Sequence, residues 1–510
     1  MRVGATMPET IALAEEAIQA ARPAAEADPF RPVCHLRAPA QWMNDICGAL
    51  YHEGYYHIFY QFNPFADRCD WGDVNPCWGH ARSRDLVHWE HLPIALAPSK
   101  AEGNRQCVSG SATHRGDGTP MLFYGHTPAR GGPRQQWAAL PLDPELRAWR
   151  TLDIGLAPGK SGVPTDIVGG WTDMFVFREA GRTFAIFKVA EGLVVEAQNP
   201  ELTRWQAMGR IAGVHGECPN FIKLQDRWLL LRSTYPMTYQ VGTFDPERIA
   251  FDMDGPDGMV DYAYGFASPP DVATDPDYYR DGTGVPVCRF GAPPAHSANR
   301  GLYATSVFAD AEGRTLLLGW VGAFESKSWN CCMSLPRVLS LDGDDRLIQT
   351  PIPELAGLRE RHTRLHGMDL DDEGHTVAGL ASNTLEVRVD MVLGTARSVE
   401  LRLRDQSTGS IAVRIAYDGE AIDANGTLIP RILAADPRRL TLHLFFDRSL
   451  MELFINEGRQ TVTRVAYPSS SSPLEIECCA IGGTAQVTTL DAWELKASWP
   501  TGETSASQSA

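Results

Sequence analysis

Positive charge is what this 510-residue chain lacks most: 46 Lys and Arg stand against 63 Asp and Glu, a formal net charge of -17 at pH 7. No Lys/Arg-rich run is present to replace the counterions condensed on a phosphate backbone, which argues against a nucleic-acid partner and favours neutral small molecules. Long apolar runs are missing as well. None reaches eighteen residues, and no charged N-terminal segment leads into an apolar one, so neither a membrane span nor a secretory leader is expected. The eleven Cys have no framework spacing, and the adjacent pairs Cys331-Cys332 and Cys478-Cys479 lack the C-x-x-C partners of a zinc site. His88 and His91 find no third ligand at helical spacing, and Val108-Ser109-Gly110-Ser111 does not supply a G-x-S-x-G elbow. These absences point to a cytoplasmic protein with reduced thiols and no cofactor, metal or membrane partner.

What is present is a β pattern. At this length two domains are expected. Residues 1–29 are the exception, with Ile11, Ala14, Ile18 and Ala21 on one face of a helix that starts near Pro8 and packs outside the main body. From 30 to 353 the chain runs in short strand-like stretches punctuated by Gly, Asp, Asn and Pro, for example 56–61, 121–125, 174–177, 183–188, 228–233 and 315–321. Pro351 and Pro353 then break the pattern, and 354–361 reads as a short helical connector. A second β-rich block covers 362–499, with strands near 384–392, 398–403, 411–417 and 440–446 and an Asn456-Glu457-Gly458 turn, before a polar tail at 500–510. The class is all-β, and the pattern alone leaves sandwich, barrel and propeller open. Exposed faces of the second block are compatible with a homo-oligomer.

Three acids stand out by their settings. Asp45 follows Asn44 in a turn-like stretch closed by Gly48, Asp173 precedes the strand-like 174–177, and Glu217 lies between Gly216 and Cys218-Pro219. Singly, each reads more simply as a solvated loop carboxylate or turn cap. Together they suit glycoside cleavage, which needs one ionised and one protonated carboxyl flanking the bond. Asp45, beside an amide, is suited to staying ionised, and Glu217 to a less polar pocket that raises its pKa.

The ordered motifs go further. Trp42-Met43-Asn44-Asp45, Phe59-Tyr60-Gln61-Phe62-Asn63-Pro64, Trp78-Gly79-His80-Ala81, Ser109-Gly110-Ser111-Ala112, Glu217-Cys218-Pro219 and Ser334-Leu335-Pro336-Arg337 stand in the order of the invertase, inulinase and levanase family. From about residue 30 to 498 the chain resembles these β-fructosidases, family 32 of the glycoside hydrolases. The resemblance implies a five-bladed β-propeller followed by a β-sandwich, acting on sucrose or short fructo-oligosaccharides by a retaining mechanism, with carboxyl groups about 5 Å apart. It also implies that Asp45 is the nucleophile, Glu217 the general acid/base and Asp173 the acid that holds sugar hydroxyls. Asn44, Gln61, Trp71 and Ser109, with Thr172 beside Asp173, would line the substrate pocket.

The chain departs from the family pattern at two points. The family's P-N-G after the nucleophile is Ile46-Cys47-Gly48 here, which removes an amide near the pocket, and its R-D-P becomes Thr172-Asp173-Met174. A guanidinium that would contact the sugar and the neighbouring carboxylates is absent, and threonine cannot imitate its fork of donors. Two other readings stay open: a furanosidase or fructosyltransferase with altered specificity, and a non-catalytic carbohydrate-binding protein on the same scaffold.

Overall fold

A computed structural model describes residues 6–68, 76–167, 171–188, 192–234, 236–263, 301–322 and 324–499. Among them, helix is confined to Met7–Glu26 and a 3-10 turn, Pro353–Leu358, so the protein is all-β. The first helix opens at Thr6, whose N–H donates to Glu9 Oε2 at 2.8 Å, a reciprocal cap that ties down the first turn. Its buried face is Thr10, Ala14, Ile18 and Ala25, and Glu15 accepts from the Ile94 N–H at 3.0 Å, fastening it to the outside of the first sheet.

Five small sheets follow in chain order. Their leading strands are Gln41–His52, Asn104–His114, Phe175–Glu179, Glu217–Leu224 and Leu302–Ala309, and within each sheet the next strands add mainly as antiparallel neighbours. The five leading strands touch one another in sequence and the fifth touches the first, which closes a ring. A short strand, Trp329–Asn330, pairs in parallel with Gln41 and Trp42, stitching the end of the ring to its start. The strand-like stretches read from sequence fall on strands with small shifts, the 174–177 stretch entering its strand at Phe175. The 183–188 stretch ends as a strand at Ile186, leaving Lys188 beyond it.

Two six-stranded antiparallel sheets make the second half. Apolar side chains from both, such as Val387, Leu444 and Leu453 on one and Leu401, Val413 and Ile476 on the other, enter a single buried core. The connector is the 3-10 turn, and the strand after it begins at Arg359, earlier than the pattern suggested. At the Asn456-Glu457-Gly458 turn all three residues have positive φ, the geometry that joins twisted strands tightly.

A buried ionic network binds the two halves. His35 lies between Asp447 (Nδ1 to Oδ2, 2.8 Å) and Glu452 (Nε2 to Oε1, 3.0 Å), and Arg337 donates to Glu452 Oε2 at 2.6 Å. Isolated charges could not sit there. Each is kept by its opposite and by further hydrogen bonds, including Leu335 N–H to Glu452 at 2.6 Å.

Candidate active site

The ring's leading strands are not regular where the acids sit. Pairing slips between Met43 and Ile46, between Val108 and Gly110, between Glu217 and Asn220, and between Tyr303 and Ser306. Such bulges insert an extra residue and re-aim its side chain. Here they turn Asn44, Asp45, Ser109 and Glu217 into one cavity. The turn expected at Asn44-Asp45 is therefore a bulge inside the twelve-residue strand Gln41–His52. Gly48 is required not by a turn but by close packing, since a Cβ there would lie 2.7 Å from the Ala112 backbone nitrogen. Asp173 itself holds φ +58°, and Cys218 φ +43°, two strained settings at the same place.

The cavity is about 540 Å³ and is lined by Asn44, Asp45, Gln61, Ser109, Thr172, Asp173 and Glu217, seven of the eight residues expected from sequence. The eighth, Trp71, lies outside the described residues. Sequence reasoning missed Arg68, Arg134, Lys188, Tyr303, Trp320, Asn330 and Cys331 as lining residues. None belongs to an acid-bearing motif, and apart from the adjacent Asn330 and Cys331 each arrives from a separate segment.

A relay of hydrogen bonds organises the first wall. Asn44 Nδ2 donates to Gln61 Oε1 at 3.3 Å, Gln61 Nε2 donates to Ser109 Oγ, and Ser109 Oγ donates to Asp45 Oδ2 at 2.6 Å. Thr172 Oγ1 in turn donates to the Ser109 carbonyl at 3.1 Å. On the opposite wall, the Cys218 N–H donates to Asp173 Oδ2 at 3.1 Å, while Lys188 Nζ donates to Glu217 Oε1 at 2.6 Å. Tyr303 OH stands 3.2 Å from Glu217 Oε2 and 3.0 Å from the Ser233 carbonyl. Asn220 carries the neighbouring strand ends, donating to the Cys218 and Thr305 carbonyls and accepting from the Val307 N–H, all at 2.8 Å.

The electrostatics depart from the expectation at Asp45. Enclosure by protein pushes the Asp45 carboxyl up to about 7; the Asp173 and Glu217 charges reinforce this, and the Ser109 hydrogen bond and Lys188 oppose it. Burial likewise raises Asp173 against the pull of Lys188. Glu217, expected in a less polar pocket, has its side chain 46% exposed and is paired with an ammonium group. The reason is enclosure: Asp45 is packed in beside Ser109 and feels the charge of Asp173, whereas the Glu217 side chain is half-exposed. The Lys188 ammonium is held above its ordinary range, because its burial is outweighed by Asp173 and Glu217.

Cys47 also departs from expectation. It is fully buried beside Phe59, Trp78 and Cys107 and does not line the cavity; its thiol lies 3.6 Å from the Asp45 carbonyl, behind the pocket wall. All nine described cysteines are buried, and Cys34, Cys47, Cys107, Cys218, Cys332, Cys478 and Cys479 are free. Among the described residues no group of three or more His, Cys, Asp or Glu could hold a metal ion, and no helix is long and apolar enough to cross a membrane.

Comparison with known proteins gives the same outline. Sucrose-6-phosphate hydrolase of Bacillus subtilis (strain 168) is 26% identical over 498 residues, covering 89% of this chain and 92% of that protein. Levanase of the same organism is 26% identical, covering 92% of this chain and 71% of the levanase. Among solved structures, fructan 1-exohydrolase IIa from Cichorium intybus superposes with a TM-score of 0.71 at 22% identity, covering 92% of this chain and 98% of that one. A β-fructofuranosidase from Bombyx mori gives 0.73 at 22% identity, covering 96% and 98%; both share the fold. The model of the Glycosyl hydrolases family 32 N-terminal domain matches residues 35–351 and that of the family 32 C terminal matches 354–494. With those two matches spanning nearly the whole chain, the protein belongs to family 32 of the glycosyl hydrolases.

Proposed function

We propose that the protein is a retaining β-fructofuranosidase that releases terminal fructosyl units from sucrose or short fructo-oligosaccharides. The observation that carries this is the convergence of Asp45, Asp173 and Glu217 on one cavity, Asp45 and Glu217 from the leading strands of two sheets and Asp173 from just before the leading strand of a third. In this reading the ring (30–353) is a five-bladed propeller and 362–499 a sandwich, with 1–29 as an outer extension, 354–361 as the link and 500–510 as a tail. Free buried thiols suit the reducing conditions of a cytoplasmic setting.

The chemistry runs in two steps. Asp45 attacks the anomeric C2 as the bond from C2 to the bridging oxygen breaks, and Glu217 gives its proton to that oxygen, leaving a fructosyl ester on Asp45. Water then attacks C2, Glu217 takes the water's proton, and Asp45 leaves as a carboxylate with fructose released. Before the first step the site must hold its proton on Glu217 rather than on Asp45. Sugar hydroxyls donating to Asp173 favour this, since they spread the charge that now raises Asp45.

Arg68 and Arg134 on the cavity wall favour a second form of substrate, a disaccharide bearing an anionic group such as a phosphate on its leaving sugar. The test is fructose release from sucrose, sucrose 6-phosphate and short inulin- and levan-type oligosaccharides, with Asp45→Asn and Glu217→Gln alongside. Release by the wild type that collapses in both variants supports the reading. A folded wild type that releases nothing from any of them sinks it, and a saturable sugar affinity would then favour the binding-protein alternative.

A further inference from the structure

The position before Asp173 holds Thr172, where the family pattern has arginine, and Thr172 spends its hydroxyl on the Ser109 carbonyl. Its task there is to fix the residue that bonds Asp45. A positive charge nevertheless stands between the acids. Two residues past the end of strand Arg182–Ile186, Lys188 turns into the cavity, with Nζ 2.6 Å from Glu217 Oε1 and 3.7 Å from Asp173 Oδ2. Among the described residues it is the one cation within ion-pair distance of any of the three acids. Arg134, the nearest rival on the same wall, pairs with none of them; its Nε donates to Thr127 Oγ1 at 3.4 Å.

We infer that Lys188 is a positioning residue of the reaction: from a different strand it supplies the charge between Asp173 and Glu217 that position 172 no longer provides. The inference rests on the β-fructofuranosidase reading. Two carboxyl groups facing one cavity repel and swing apart unless a cation spans them, and a flexible ammonium with three donors can hold Glu217, attract Asp173 and still offer an N–H to a sugar hydroxyl. An arginine would hold both acids in a flat fork, while a lysine lets Glu217 move as its proton comes and goes. Strand pairing explains the exchange. Arg182–Ile186 is the antiparallel partner of Phe175–Glu179, with Ile186 opposite Phe175, so positions 172 and 188 lie just beyond the same end of two adjacent strands and reach the same space.

The test uses the full chain in four forms: wild type, Lys188→Met, Lys188→Arg, and Lys188→Met combined with Thr172→Arg. Turnover and KM on the fructoside that the wild type cleaves, fructose affinity by calorimetry, and Tm are read for each. Lys188→Met is expected to lower kcat by ~100-fold, with a smaller change in KM and little change in Tm. Lys188→Arg should stay within ~10-fold of wild type, and Thr172→Arg should return at least ~10-fold to the Lys188→Met protein, a rescue that a merely structural role would not produce. An active wild type whose kcat, KM and fructose affinity are indifferent to Lys188→Met overturns the inference alone. So does a loss that comes with a lower Tm and is relieved by neither arginine variant. A folded wild type that cleaves no fructoside overturns the functional reading and the inference with it.

Discussion

Ser109 Oγ lies 2.6 Å from Asp45 Oδ2 and donates its one proton there, while its lone pairs accept from Gln61. The carboxyl that the proposed mechanism needs ionised is thus held by a hydroxyl whose direction is fixed by two other bonds, one through Gln61 and one through Thr172 to the Ser109 backbone. Ser109→Ala removes a hydrogen bond to a charged group, worth about 1.5–3 kcal/mol, so kcat/KM should fall by roughly 10- to 100-fold. The pH profile separates this from a packing effect. Asp45 titrates near about 7 in the empty site, so kcat/KM should rise with pH through that region. Loss of the Ser109 bond, which lowers the Asp45 pKa, should move the rising limb to higher pH. A lower plateau with an unmoved limb would show that Ser109 does not tune Asp45.

A second prediction concerns Asn220, whose amide serves three buried backbone groups at once: the Cys218 and Thr305 carbonyls and the Val307 N–H. It ties the Glu217 bulge to the fifth leading strand. Asn220→Ala leaves those groups without their partner, at about 1–3 kcal/mol for each one left unsatisfied. The variant should lose ~2–4 kcal/mol in a denaturant titration and, because Cys218 adjoins Glu217, lose activity as well. Unchanged stability would mean that the two strands are held by other contacts.

The motifs located most of this site, and they did so because it is built where each leading strand starts or bulges, so that short ordered blocks carry the acids and their nearest amides. Asn44, Asp45, Gln61, Ser109, Thr172, Asp173 and Glu217 all reach one cavity. Lys188 and Tyr303 were not legible, since they meet Glu217 from 29 and 86 residues away and stand in no motif with it. Nor was the charge state of the resting site, which depends on the distance between acids and on their enclosure rather than on their neighbours in sequence. The Asn-Asp pair read as a turn because local propensity cannot distinguish a turn from a bulge inside a long strand.

The network between the halves gives a prediction on stability. Burial works against a charge on His35, but the flanking Asp447 and Glu452 carboxylates outweigh it and push the imidazole up to about 9. An unfolded histidine titrates near about 6.5. His35 therefore contributes stability that is fully present below about pH 6.5 and is lost as pH rises through about 9, a difference on the order of 3 kcal/mol. Tm measured from about pH 6 to about pH 9.5 should fall more steeply in the wild type than in His35→Gln, which should start lower and stay flatter. Parallel curves would refute a charged His35.

Cys47 tests whether the first departure from the family pattern has any bearing on sugar choice. The residue that replaces the family's asparagine does not line the cavity; it packs among Phe59, Trp78 and Cys107, and burial holds its thiol protonated. Trimming it to alanine removes one sulfur from a tight apolar cluster, and with it the thiol's contacts to Ser109 and to the Asp45 carbonyl, while every side chain that lines the cavity stays in place. Cys47→Ala should lower stability by about 1 kcal/mol, the size common for a modest core truncation. The ratio of kcat/KM values for sucrose and an inulin-type oligosaccharide should stay within about threefold of wild type, since a shift that small corresponds to less than a typical hydrogen bond. A larger change would mean that the contact between Sγ and the Asp45 carbonyl at 3.6 Å transmits the identity of residue 47 to the proposed nucleophile. Specificity would then be set partly from behind the pocket wall, through the backbone of Asp45.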